Sequence, residues 1–174
     1  MKKILTTLLL ATSSLAAFAD GANLYVGGAA GAGWNNTAYP ATSFRLDGGY
    51  NFTDAFAVEV GSTGITQAGT GNNQSVQYYD LSVKGTLPLG SVFGLVGQIG
   101  GAYASPGVIA NRSANTQFIN NPAEQAGWDT LLAAGVQLNV TRQVSFNLMD
   151  YYYAGGATPQ GNADMVLLGI KYNF

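Results

Sequence analysis

The chain has 174 residues, no Cys, no His and only 9% charged side chains, against about 25% in an ordinary soluble domain. The missing His excludes Ser-His nucleophilic catalysis and the commonest zinc ligand. The missing Cys excludes disulfides and a Cys-borne lipid anchor. Beyond residue 19, five basic side chains stand against nine acidic ones, a net charge of −4, so no basic patch exists for nucleic acid.

The N-terminus reads as a secretory signal peptide over residues 1–19. Lys2 and Lys3 give a positive start, Ile4 to Ala17 is mostly apolar, and Ala17-Phe18-Ala19 places small residues at the two positions signal peptidase requires. Residues 20–174 are then one exported domain. After the signal no apolar run is long enough for a membrane helix, for which about 20 residues are needed. An exported domain without disulfides, with few charges and 24 Gly, points to a sheet closed on itself in lipid.

The apolar period from there on is two, which predicts strands. The first runs over about Leu24 to Trp34, with Leu24, Val26, Ala30, Ala32 and Trp34 in one phase. The second, Phe44 to Phe52, sets Phe44, Leu46, Tyr50 and Phe52 against Arg45, Asp47 and Gly49. The third, from Ala55 to about Ile65, sets Phe56, Val58 and Val60 against Ala57, Glu59 and Gly61. The fourth, Val76 to Leu87, sets Tyr79, Leu81, Val83 and Leu87 against Tyr78, Asp80, Ser82, Lys84 and Thr86. The fifth, Val92 to Tyr103, sets Phe93, Leu95, Ile99 and Tyr103 against Val96 and Gln98. The sixth, Trp128 to Val140, sets Leu132, Val136, Leu138 and Val140 against Asp129 and Gln137. The seventh is Gln143 to Tyr153. The eighth, Asp164 to Phe174, sets Val166, Leu168, Ile170, Tyr172 and Phe174 against Lys171 and Asn173.

A soluble sandwich alternates in the same way, so other features decide. Strands of about 10 residues match a tilted membrane span, and sandwich strands average nearer 5–6. Short turns at Asn51–Asp54, Pro88–Ser91 and Thr141–Arg142 alternate with long loops at about 35–43, 66–75, 104–127 and 154–163. That is the pattern of eight strands with both termini periplasmic. Aromatic residues gather at strand ends as two girdles. Trp34, Tyr39, Tyr103, Trp128 and Tyr151 to Tyr153 form the upper one; Tyr50, Phe52, Phe56, Phe93, Tyr172 and Phe174 form the lower. The reading is therefore an all-β, eight-stranded, antiparallel up-and-down transmembrane β-barrel in an outer membrane. The alternating last strand ending on Phe174 resembles the signal read by the barrel-assembly machinery. In the seventh strand Val144, Phe146 and Leu148 share a phase with Asp150 and not with Tyr151 or Tyr153. Either a β-bulge resets the phase, or Asp150 faces outward near the outer rim.

Four stretches carry a resemblance to a known family: Tyr25-Val26-Gly27-Gly28, GYNFTDAFAVEVG at 49–61, LSVKGTLPLGSVFGLVGQIGGAY at 81–103 and LLGIKYNF at 167–174. With these the chain resembles the OmpA-type eight-stranded transmembrane domain and its small relatives over nearly all of 24–174. The sequence given ends where that barrel ends, so cell-wall tethering by a further domain is not expected. In the family, charges inside the barrel pair across the lumen as a gate. Glu59 and Lys84 match two of those positions, Gln137 stands where the second acid would be, and the family's Arg falls near Asn147 or Leu148. The resemblance therefore does not imply the family's gate.

An eight-stranded barrel is just wide enough inside for side chains to fill it, and an unpaired charge there is costly. A network joining Arg45, Asp47, Glu59 and Lys84, with Lys171 entering from the eighth strand, is therefore expected. It serves as a polar plug or as a gate. Lumen-facing small residues such as Gly49, Ala57 and Gly61 would leave room for water. Outside the strands, Phe118 and Ile119 form an apolar pair in the longest, mostly polar loop, a candidate point of contact with a host or environmental ligand. The leading expectation is a structural and surface-interaction barrel. It sits in outer-membrane lipid and lipopolysaccharide, with no cofactor, metal or nucleic acid. The alternative is a narrow gated channel for ions or small solutes. A lipid-modifying enzyme finds no nucleophile–base pair to support it.

Overall fold

The computed structural model describes residues 23–35, 41–67, 74–106, 126–155 and 162–174. Eight strands run in chain order: β1 (Leu24–Asn35), β2 (Ala41–Asn51), β3 (Phe56–Gln67), β4 (Gln74–Leu89), β5 (Phe93–Pro106), β6 (Gly127–Asn139), β7 (Val144–Ala154) and β8 (Ala163–Asn173). Each pairs antiparallel with the next, and β8 pairs with β1, closing the barrel. The signal segment and the Phe118–Ile119 pair lie outside the described residues. So does Tyr39.

The strand pairing fixes the barrel's shape. Stepping sideways from Leu24, the partners are Tyr50, Val58, Val83, Ile99, Leu132, Tyr152, Asp164 and then Trp34. One circuit thus returns to β1 ten residues further along. With about 3.3 Å per residue and about 4.8 Å between strands, that offset over eight strands means a tilt of roughly 41°, within the range of closed barrels. Each residue then rises about 2.5 Å along the barrel axis.

Two of the three short turns share one sequence pattern and one geometry. In Asn51-Phe52-Thr53-Asp54-Ala55, the Thr53 hydroxyl accepts the amides of Ala55 and Phe56 at 3.2 and 3.0 Å. In Asn139-Val140-Thr141-Arg142-Gln143, the Thr141 hydroxyl accepts those of Gln143 and Val144 at 3.2 and 2.9 Å. A threonine that caps its own turn reverses the chain in few residues. The third turn uses Gly90, whose φ of +91° suits glycine alone.

The alternation holds on every strand. Phe44, Leu46, Val60, Leu81, Ile99, Leu168 and Ile170 are among the exposed outer residues, and the opposite phase is buried inside. Large apolar side chains on the outside are normal for a wall whose solvent is lipid. On β7 the pairing with β6 and β8 runs without interruption. No bulge resets its phase: Asp150 faces outward with Phe146 and Leu148. Its pairing line runs through Val166 to Ala32. That line sets Asp150 about halfway up the wall rather than at the outer rim. The same phase corrects the upper girdle. Tyr151 and Tyr153 are 5% and 0% exposed and point into the lumen, leaving Tyr152 as the outward-facing tyrosine of the three. Trp34, Tyr103 and Trp128 remain outside, the last two in edge-to-face contact at 5.4 Å.

Candidate functional site

The lumen is the one place where the described residues concentrate buried charge. Arg45 on β2 is its hub and is 1% exposed. Its guanidinium grips Asp80 of β4 with both ends, Nη1 to Oδ2 at 2.6 Å and Nη2 to Oδ1 at 2.8 Å. A two-pronged carboxylate contact of this kind is strong and directional. Nη1 also donates to Thr63 at 2.9 Å and to the Tyr153 hydroxyl at 3.2 Å, and Nη2 donates to Glu59 at 3.1 Å. The Tyr151 ring covers the guanidinium at 4.8 Å.

Arg45 and Asp80 are two strands apart and can meet because Gly61 stands between them. Asp47 and Asp80 are the cross-strand partners of Gly61 on either side. A Cβ on Gly61 would lie 2.1 Å from Arg45 Nη2. The same device recurs at Gly49, whose Cβ would lie 2.5 Å from the Tyr25 ring. The lumen glycines thus make room for long neighbours, and the small residues read in the sequence as possible voids are largely covered.

Glu59 on β3 is the second hub. It accepts from Lys84 Nζ at 2.5 Å, from the Tyr25 hydroxyl at 2.7 Å, from Gln98 Nε2 at 3.0 Å and from Arg45 at 3.1 Å. Tyr25 binds the lower network in a second way, because its ring lies under Lys84 Nζ at 4.1 Å and Lys171 Nζ at 4.7 Å. Such contacts stabilise a desolvated ammonium. Lys171 donates to Gln137 Oε1 at 3.2 Å. Asp47 is more loosely held, its nearest ion-pair contact being Arg45 Nε at 3.9 Å.

Of the five charged residues singled out in the sequence, Arg45, Glu59 and Lys84 are joined directly. Asp47 stands at the edge of the cluster, and Lys171 reaches it through the Tyr25 ring. Asp80, Tyr25, Tyr151 and Tyr153 also belong to it. The lumen-facing phase of Asp80 was visible in the sequence. Its reach to Arg45 depends on the barrel's stagger, which local pattern does not carry.

Around and above the charged layer apolar and aromatic side chains fill most of the lumen, with Ser43 and Asp129 also buried towards its upper end. Leu131, Met165 and Leu167 are fully buried, Met149 is 3% exposed, and the Tyr78 and Tyr153 rings stack at 4.1 Å. Between Asp47, Gln98, Asn147 and Met149 a cavity of about 10 Å³ remains, about the room of one water molecule.

The sequence matches the outer membrane protein beta-barrel domain family over residues 5–174. The chain belongs to that family, and its place is the outer membrane. The end carrying both termini and the short turns is then the periplasmic one. No significant match exists among curated protein sequences.

Solved structures share the fold at low identity. Neisserial surface protein A aligns with a TM-score of 0.63 at 13% identity, over 87% of this chain and 96% of that one. The N-terminal β-barrel domain of Pseudomonas aeruginosa OprF gives 0.59 at 15%, over 89% and 100%. Ail, the attachment invasion locus protein of Yersinia pestis, gives 0.53 at 14%, over 87% and 96%. The fold also carries chemistry, since the outer membrane enzyme PagL gives 0.55 at 12%, over 86% and 99%.

Proposed function

We propose that this barrel is a plugged scaffold. It reinforces the outer membrane and presents its extracellular loops as an interaction surface. The observation that carries this reading is the filling of the lumen. Arg45, Asp80, Glu59 and Lys84 form a hydrogen-bonded crossbar at mid-height. Leu131, Met165, Leu167 and Tyr153 close the space above it. A bore of this size, filled in two layers, leaves the loops as the part free to meet a ligand. Phe118 and Ile119 are the loop residues most suited to an apolar contact. Lipopolysaccharide would surround the outer half of the wall. The assembly machinery would read β8 up to Phe174, whose amide donates to Leu24 O at 3.0 Å.

A second reading, a narrow gated channel, is favoured by the Lys84–Glu59 pair, because a single side-chain rotation of Lys84 would open the lower crossbar. An enzymatic reading has a precedent in the fold through PagL, but a chain without His cannot form a Ser-His pair. Single-channel recording of the refolded residues 20–174 in a planar bilayer, beside Lys84→Ala, separates the first two. Silence from both proteins is the expected result. Discrete openings whose frequency changes with Lys84→Ala would overturn the plug in favour of the gate.

A further inference from the structure

The lipid-facing wall carries charge in one sector. On the described strands every Lys and Arg lies inside the lumen, and the charged side chains that face outward are Asp150 on β7 and Asp164 on β8. The register gives their depths. Trp34 pairs with Asp164, and Asp164 with Tyr152. Each of these sideways steps falls about 3 Å along the barrel axis at the tilt found above. Asp164 thus lies about 3 Å below the level of Trp34 and Tyr152 about 6 Å below it. Asp150, two residues further down β7, lies about 11 Å below it.

The neighbours of Asp150 are polar above and small to one side. Tyr152 stands above it on the same face, and its hydroxyl accepts from Asn162 Nδ2 at 2.5 Å. Asp164 and Asn162 are both exposed. On β6 the partner of Asp150 is Ala134, and the partner of Ala134 on β5 is Gly97. A Cβ on Gly97 would meet nothing within 4 Å. No long side chain therefore screens the carboxylate on that side. Below it the wall turns apolar, with Leu148 and Phe146 exposed.

We infer that the outer leaflet is thinned over β7 and β8, and that water and lipid headgroups reach down this face to Asp150 as a notch open to the extracellular side. A Lys or Arg at depth carries its charge to the interface along its own stem. An Asp side chain has a single CH2 and cannot. The cations of the wall cannot come to it either, since Arg45, Lys84 and Lys171 are inside. Arg142 stands in a short turn at the opposite end. Polar material must then descend to the carboxylate, and bilayers accommodate deep charge by local thinning and water defects. Tyr152, Asp164 and Asn162 line the way down, and Leu148 and Phe146 close it below. The barrel thus meets its lipid unequally around its circumference, whether its lumen is a plug or a gate.

The chain has no Cys, so single nitroxide labels can test this in phosphocholine vesicles. One is attached through Val166→Cys, beside Asp150 on β8. The other is attached through Leu81→Cys, on β4 across the barrel. A water-soluble nickel chelate reports the access of water to each label. The β8 label is expected to be accessible, and several-fold less so when Asp150→Leu is added; the β4 label should not change. Asp150→Asn, which keeps the shape and removes the charge, should dry the β8 label as well and serves if the leucine variant does not insert. A β8 label that is dry with and without Asp150 would mean that the residue sits as a neutral acid in an intact leaflet. A β8 label that stays wet after both substitutions would mean that something other than this carboxylate draws the water. Either result overturns the inference.

Discussion

At the scale of single residues, the lumen is built from pairs in which one member is large and the other has no side chain. Arg45 over Gly61 is the clearest case. Gly61→Ala places a methyl 2.1 Å from the present position of Nη2, and the Asp80 grip must loosen. A loss of about 1–3 kcal/mol is expected, the usual range for overpacking a filled interior. Equilibrium urea unfolding in micelles reads it. Asp80→Ala acts more severely, because it leaves a guanidinium that is 0% exposed without its main partner. Breaking a buried pair in this way costs about 3–5 kcal/mol, so the variant should fold poorly or melt far below the parent. An unchanged melting temperature would mean that the crossbar adds nothing to stability. The sequence showed the charge of Arg45 and the phase of Asp80. It did not show their meeting, because the contact spans two strands and depends on how far the sheet is staggered. Tyr25 was hidden for another reason. One aromatic residue at a strand start looks the same whether it anchors in lipid or turns inward to carry two lysines.

At the scale of the strand, alternation was legible almost everywhere, since each pleat reverses the side chain and lipid selects one phase. Strand β7 is where it misled. Val144, Phe146 and Leu148 set the outward phase, and Asp150 keeps it despite being charged. The three tyrosines suggested a girdle, but strict alternation sends Tyr151 and Tyr153 inside and leaves Tyr152 outside. The outward carboxyl leads to a prediction with an unusual sign. Replacing a charge by an apolar residue on the lipid face removes a desolvation cost, which for an acid is below the 2–4 kcal/mol of Arg or Lys at mid-bilayer. Asp150→Leu should therefore stabilise the barrel by about 1 kcal/mol in bilayers. Folding titrations into phosphocholine vesicles measure the shift. A destabilised variant would show that the outward carboxylate helps to hold β7 in the wall.

At the scale of the whole molecule, the register alone sets the depth at which each outer residue lies. Strand length and turn spacing gave eight strands from the sequence. The ten-residue offset around the barrel was not readable, because it is a sum over eight pairings and each pairing is set by three-dimensional fit. Once known, it turns strand positions into heights. Trp34 stands about 25 Å above Leu24 at roughly 2.5 Å per residue, the height of the apolar band in such barrels. Trp128 pairs with Tyr103 near the same level. Both tryptophans face outward, 49% and 76% exposed, and they are the two tryptophans of the chain. Indole rings favour the boundary between acyl chains and headgroups. Intrinsic fluorescence in vesicles should therefore be quenched strongly by lipids brominated near the headgroup and weakly by lipids brominated near the bilayer centre. Because both rings lie at the end opposite the termini, Trp34→Phe and Trp128→Phe should each lose signal without changing this depth profile. Strong quenching from the bilayer centre would mean that the barrel sits about half a band higher or lower than its girdles indicate. In that case the outward position of Asp150 would fall at an interface, where its charge costs little.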